Sequence, residues 1–297
     1  LHGLQIAVPR WSPDGQRIAF IGGLMSDQGS TGGDIYVMPA AGGQPEDVTP
    51  DRHASPAWSE WLGDHQMSVA EIRGGCSHLF ISDLQSQQES TDYNLTLPGS
   101  IGAGGLSMRV SISSDNKVAL IRSSFQNPPE VWAGDLMDLH PITHVNDAAK
   151  PMWGKSESVE WDNEGFHVQG WLLLPAHYDP AKKYPLIVYV HGGPASAVVP
   201  RWPGAGYGAV PFSALDYFVL MPNPRGSYGQ GEKFTQANRK DFGYGDFRDI
   251  LAGVEQAVAK GGIDGDRVGI WGWSYGGYMT MWGVTQTHRF RAAVAGA

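Results

Sequence analysis

The apolar positions change their period part-way along the chain. Through roughly the first half they alternate with polar positions over short stretches, and clusters of Gly, Pro, Asp and Ser separate the stretches. Ile18-Ala19-Phe20-Ile21 follows the turn Pro13-Asp14-Gly15, and Asp34-Ile35-Tyr36-Val37-Met38 precedes Ala41-Gly42-Gly43. Successive side chains of a strand face opposite sides, and Asp-Gly suits a tight reversal, so this pattern predicts antiparallel hairpins. Val159-Glu160-Trp161 and Phe166 to Leu174 predict another hairpin around Asn163-Glu164-Gly165. Beyond it, Leu186 to Val190, Tyr217 to Met221, Val268 to Trp271 and Ala292 to Ala295 are continuous apolar runs. That is the pattern of parallel strands covered on both faces. Phe247, Ile250, Leu251, Val254, Ala257 and Val258 recur at helical spacing. They predict a helix with Asp246 as its N-cap and Gly261 as its stop. A second helix is expected from Ser274 to about His288. Strands alternating with helices predict an α/β fold with a mostly parallel sheet. The boundary falls between Asp147 and Ser158, giving domains 1–150 and 151–297.

The first domain carries a weak repeat. Trp11-Ser12-Pro13-Asp14-Gly15, followed by Ile18-Ala19-Phe20, is the sharpest copy. Trp58-Ser59, with Pro56 before it, is a second, and Ser113-Ser114-Asp115-Asn116 before Val118-Ala119-Leu120 is a third. The spacing of about fifty residues is the size of one four-stranded propeller blade; a β-sandwich with Asp-Gly hairpins is the alternative. The segment resembles the WSPDG repeats of TolB-type β-propellers. A propeller needs about 4–8 blades, so further blades are expected upstream of Leu1.

Composition narrows the function classes. The 297 residues are 41% hydrophobic and 17% charged, which argues against long disordered tracts. The formal net charge is −9 and no basic run exists, which argues against a nucleic-acid partner and against an anionic membrane surface. No apolar run approaches the ~20 residues of a spanning helix. The single cysteine, Cys76, excludes an internal disulfide framework and reads as a small packing residue. No metal motif such as H-E-x-x-H occurs among the ten histidines, and no motif implies a cofactor. His53, His65 and His78 read as surface or packing residues, and His288 as an exposed cation near a helix end.

Gly272-Trp273-Ser274-Tyr275-Gly276 matches G-x-S-x-G, directly after an apolar strand and before a helical segment. That setting is a nucleophile elbow: a sharp turn exposes the serine Oγ, and the glycines let strand and helix approach closely. The helix dipole favours negative charge near Ser274. His191-Gly192-Gly193-Pro194 ends an earlier strand. It is either an ordinary turn or a loop that aims a backbone N–H at a developing oxyanion, with the N–H of Tyr275 as second donor. Asn223-Pro224-Arg225-Gly226-Ser227-Tyr228-Gly229-Gln230-Gly231 lacks the pattern of a phosphate loop and reads as a shaped loop beside the site. Arg225 fits a structural carboxylate pair or a substrate contact, and His191 and Gly192 belong to the same group of site-loop candidates.

Together these motifs resemble the prolyl oligopeptidase family of serine peptidases, in its acylaminoacyl-peptidase and dipeptidyl-peptidase-like branch. The resemblance covers nearly the whole chain and is strongest in Tyr189 to Pro194, Pro222 to Gly231 and Asp266 to Thr280. It implies a partial β-propeller over 1–150 and the N-terminal half of an α/β-hydrolase domain over 151–297. It also implies Ser274 as nucleophile, Gly193 and Tyr275 N–H groups as oxyanion hole, and short peptides as substrates; an oligomer is compatible with it. An esterase on the same scaffold and a non-catalytic propeller protein are the rival readings. α/β-Hydrolases place the triad acid and histidine after the serine. Only 23 residues follow Ser274, with no Asp or Glu and one histidine, His288. The expectation is therefore a fragment whose acid and base lie elsewhere, with an unfinished sheet and an open edge.

Overall fold

The computed structural model describes residues 3–25, 32–86, 88–102, 107–204 and 208–297; for 91–94 it describes the backbone alone. Two compact units divide the chain. The first takes Leu1–Ala149, Val199–Arg201 and Tyr228–Thr235, and the second Lys150–Val198, Trp202–Ser227 and Gln236–Ala297.

Among the described residues the first unit is built of antiparallel strands in three sheets. Strands β1 (Gln5–Trp11), β2 (Arg17–Gly23), β3 (Asp34–Pro39) and β4 (Glu46–Asp47) pair in chain order. So do β5 (Ser55–Trp61), β6 (Gln66–Arg73), β7 (Cys76–Asp83) and β8 (Gln88–Leu97). The third sheet holds β9 (Ser100–Ile101), β10 (Val110–Ile112), β11 (Val118–Ser123), β12 (Glu130–Asp135) and β13 (Asp138–Pro141), with β9 paired on β11. This succession of four-stranded meanders is propeller-like. Ala19, Ile35 and Val48 of the first sheet's segment form one core with Trp61, Met67, Val69 and Phe80 of the second.

The repeat is real as a turn, and its second copy lies elsewhere than expected. Ser12 N–H donates to Arg17 O and Ser113 N–H to Lys117 O, each at 2.9 Å, closing the turns after β1 and β10. The matching turn after β5 is closed by Leu62 N–H and Gln66 O at 2.9 Å. The structural counterpart of Trp11 is thus Trp61; Trp58 sits within β5. In the outer copies the serine hydroxyl also accepts the N–H of Arg17 or Lys117 at 2.9 Å. Leu62 has no hydroxyl, which is why the sequence hid this copy.

Of the first unit's histidines, His53 and His65 are exposed. His78 is buried, stacked on Phe80, with Nδ1 3.1 Å from Glu71 Oε1. Glu71 is wholly buried and also accepts Arg52 Nε at 2.5 Å and Arg73 Nε at 2.8 Å. Burial alone would raise its carboxyl, but the contacts from His78, Arg52 and Arg73 outweigh it and hold the group below the usual range. Cys76 is partly buried, and that burial pushes its thiol up.

The second unit is one six-stranded sheet with helices. Its elements are β14 (Ser156–Asn163), β15 (Phe166–Leu173), β16 (Tyr184–Val190), α1 (Val210–Ala214), β17 (Phe218–Asn223), α3 (Gly245–Ala259), β18 (Ile263–Trp273), α4 (Tyr275–Gln286) and β19 (Ala292–Gly296). A short helix, α2 (Glu232–Gln236), lies between β17 and α3 in the chain. The sheet order is β14-β15-β17-β16-β18-β19. Pairs β17–β16, β16–β18 and β18–β19 are parallel, and the β14–β15 hairpin adds antiparallel strands at the other side. Every residue of β17 is buried, as its continuous apolar run required. The hairpin turns through Glu164 (φ 50°) and Gly165 (φ 81°), the positive-φ pair that two-residue hairpins favour.

Helix α3 buries Phe247, Ile250, Val254 and Ala257. Gly253 leaves room for Trp161: a Cβ there would lie 2.6 Å from the indole. Trp161 Nε1 in turn donates to Asp249 O at 3.0 Å. The expected N-cap is corrected: Tyr244 occupies that position, and Asp246 lies inside the first turn. Gly261 follows the C-cap Lys260 with φ 95°, as a helix stop should. Helix α4 stops at Gln286, two residues short of His288, which is exposed. β19 forms an edge of the sheet, with Val294 61% exposed.

Candidate active site

Ser274 stands between the end of β18 and the start of α4, exposed, with φ 57° and ψ −121°. This is a conformation natural to glycine and costly for residues with a Cβ. The surrounding glycines show why the chain is forced into it. A Cβ on Gly272 would come within 2.3 Å of Gly276 O, one on Gly276 within 1.9 Å of Val190 O, and one on Gly277 within 2.1 Å of Gly296 O. Helix α4 therefore lies against the backbones of β16, β18 and β19 with no side chain between, and the chain must reverse within one residue.

The N–H of Ser274 is committed to Gly296 O at 2.9 Å, and its carbonyl accepts Tyr278 N–H at 3.0 Å. The next N–H, that of Tyr275, belongs to the first turn of α4, where the helix offers no acceptor. Ser274 Oγ has no hydrogen bond among the described residues. The His191–Pro194 turn lies close to the serine. A Cβ on Gly192 would be 3.3 Å from Ser274 Cβ and 3.8 Å from its Oγ. Gly193 has φ 125°, and the Gly193–Pro194 peptide is cis. The fold thus brings Ser274, Tyr275 and the Gly192–Gly193 turn together.

His191 and Arg225 are turned to other partners. His191 is buried; its Nδ1 lies 2.7 Å from Gly192 O and its Nε2 2.9 Å from Ser227 Oγ. A carbonyl only accepts, so Nδ1 carries the proton and Nε2 accepts from the serine hydroxyl. Burial holds this imidazole below the usual histidine range, against a smaller opposing effect of the Gly192 carbonyl. The ring ties the Gly192 turn to the loop after β17. Arg225 donates to Asp249 from Nε at 2.8 Å and Nη2 at 2.6 Å, pairs with Glu164 at 3.1 Å, and lies over the Phe166 ring. Its side chain is 7% exposed and Asp249 fully buried. Of the two readings open for Arg225, the structural pair is the one its geometry fills.

Two residues the motifs did not single out complete the surroundings. Ser227 is the partner of His191. Asp246, placed by the sequence at a helix cap, accepts the Tyr275 hydroxyl. Burial pushes its carboxyl up, opposed by that hydroxyl and by the N–H groups of Phe247 and Gly243. The Tyr275 hydroxyl is itself pushed up by burial and by the charge of Asp246. Among the described residues no cluster of His, Cys, Asp and Glu could hold a metal ion. No helix among them is long and apolar enough to cross a membrane.

An exposed serine on a glycine-bound strand–helix turn is the setting in which the comparisons with known proteins fall. Residues 206–297 match the prolyl oligopeptidase family. An uncharacterized peptidase, YuxL, of Bacillus subtilis is 40% identical over 146 residues, covering 46% of this chain and 21% of its own length. The dipeptidyl-peptidase 5 of Porphyromonas gingivalis is 26% identical over 340 aligned positions, covering 97% of this chain and 49% of its own. The solved acylaminoacyl peptidase of Pyrococcus horikoshii superposes with a TM-score of 0.72 at 24% identity, over 95% of this chain and 43% of that one. That likeness shows a shared fold. The chain spans less than half the length of each of these three relatives.

Two measurements follow. Replacing Ser274 by Gly relieves ~1–3 kcal/mol of backbone strain and costs ~0.5–1 kcal/mol of chain entropy. Ser274→Gly is expected to be more stable than Ser274→Ala by about 1 kcal/mol in urea unfolding. A glycine variant less stable than the alanine variant would contradict the strained turn. For His191, the unfolded chain takes up a proton near pH ~6.5 that the folded imidazole refuses. Its contribution is therefore intact above that pH and declines as pH falls below it. His191→Gln should flatten the fall in stability between about pH 7.5 and 5.5 by up to ~1 kcal/mol per pH unit. Identical slopes in parent and variant would contradict this.

Proposed function

We propose that this chain carries the nucleophile half of a serine-type peptidase that hydrolyses short peptides through an acyl-enzyme on Ser274. In this reading residues 1–150 are part of a β-propeller, and 151–297 are the N-terminal half of an α/β-hydrolase domain. The observation that carries it is the geometry of Ser274: exposed, at positive φ, at the mouth of α4, with Gly192 so near that a Cβ on it would meet the serine side chain. The names of the relatives, peptidases and dipeptidyl-peptidases, support a peptide substrate.

Ser274 Oγ attacks the peptide carbonyl, giving up its proton to a base, and the carbonyl oxygen becomes an oxyanion. The N–H groups of Tyr275 and Gly193 receive that charge; each such donor stabilises the transition state by ~2.7–4 kcal/mol. The amine leaves with a proton, and water then cleaves the acyl-enzyme. A serine hydroxyl is a weak nucleophile without a base. His191 is occupied by Gly192 and Ser227 and is not that base. A complete triad adds a base and an orienting acid to the serine.

The test is Ser274→Ala in the full-length natural protein, assayed on a chromogenic dipeptidyl amide and its matched ester. The amide is expected to be cleaved by the parent, and the variant to lose at least ~10⁴-fold in kcat. Unchanged amide hydrolysis by the variant would overturn the assignment. Cleavage of the ester alone would favour an esterase, and cleavage of neither a non-catalytic role.

A further inference from the structure

We infer that Asp246 is a positioning residue for the nucleophile turn, acting through Tyr275; the inference rests on the peptidase reading above. Asp246 is 0% exposed in the first turn of α3. Its Oδ1 accepts the N–H of Gly243 at 2.9 Å and of Phe247 at 2.8 Å, which fixes the carboxylate on its own element. Its Oδ2 accepts the hydroxyl of Tyr275, the first residue of α4 and the neighbour of Ser274.

The same two segments are also joined by contacts that carry no charge. Tyr278 Oη donates to Phe242 O at 3.1 Å, Trp282 Nε1 donates to Gly243 O, and the Phe242 ring meets the Tyr275 ring edge-on at 5.1 Å. These neutral contacts hold α4 in place without a charge. A buried carboxylate costs several kcal/mol to desolvate, so it is a poor choice for packing alone. What it adds is a charge-assisted acceptor, shorter and stronger than a neutral one, next to the N-terminus of α3 whose dipole favours it. Tyr275 is then gripped at both ends: its backbone by the glycine-bound turn and its hydroxyl by Asp246. The N–H between them points where those anchors hold it. A donor that receives developing charge is effective in proportion to how little it must reorganise.

The experiment compares Asp246→Asn, Tyr275→Phe and the double variant in the full-length natural protein, with Ser274→Ala beside them. For each, kcat and KM on the dipeptidyl amide are read together with the thermal midpoint, and kcat is expressed per folded molecule. Each single variant is expected to lose about tenfold in kcat, less than the ~10²–10³ of deleting an oxyanion donor, with KM within about twofold. The double variant should lose no more than the worse single one, because the two groups act as a unit. Tyr275→Phe keeps the ring and the amide, and carries the test should Asp246→Asn fail to fold. The inference is overturned if kcat per folded molecule stays within about twofold in both, or if the losses multiply. Turnover surviving in Ser274→Ala overturns the peptidase reading and this inference together. A dead Ser274→Ala beside fully active Asp246→Asn and Tyr275→Phe overturns this inference alone.

Discussion

The absence of room for a side chain where α4 meets the sheet governs the second unit. A Cβ on Gly272, Gly276 or Gly277 would enter the backbone of the helix, of β16 or of β19, at 1.9–2.3 Å. A helix laid that close to strand ends cannot be reached by a gradual turn. The residue at the reversal takes positive φ, its side chain is left outside, and the first N–H groups of the helix lie beside it. That residue is Ser274. The same contact seats the end of β16, so the turn that follows β16 lies close enough to the serine that a Cβ on Gly192 would touch it.

Around this contact the unit commits its buried charges to holding loops. Arg225, Asp249 and Glu164 join the loop after β17 to α3 and to the β14–β15 hairpin. Asp249 also accepts Arg225 N–H at 2.9 Å and Asn163 Nδ2 at 2.8 Å, so the carboxylate is saturated. Breaking such a pair on one side leaves an uncompensated buried charge, at ~3–5 kcal/mol. His191 and Ser227 add a neutral link from that loop to the Gly192 turn.

Much of this was legible in the sequence, for reasons that differ by element. The strands β16 to β18 announce themselves as unbroken apolar runs because both faces of a parallel sheet are covered; β19 shows the same apolar run but is an exposed edge. The α3 face shows because one side of it packs on Trp161 and its neighbours. Ser274 was legible because three glycines at fixed offsets have a steric cause that few other settings share. Other features were hidden. The second repeat was misplaced because Leu62 closes its turn by backbone alone, leaving no serine to mark it. Asp246 sits where a cap residue is common, and its bond to Tyr275 joins residues distant in the chain. Arg225 and His191 carry chemistry that suits a site, and only their partners reveal that the fold has used them.

The central claim is that the backbone at residue 274 presents a nucleophile. The most direct measurement is fluorophosphonate treatment of the full-length natural protein, with the adduct located by peptide mass spectrometry. One adduct is expected, on Ser274, abolished by prior denaturation. A folded protein with no adduct, or with its adduct on another serine, would contradict it.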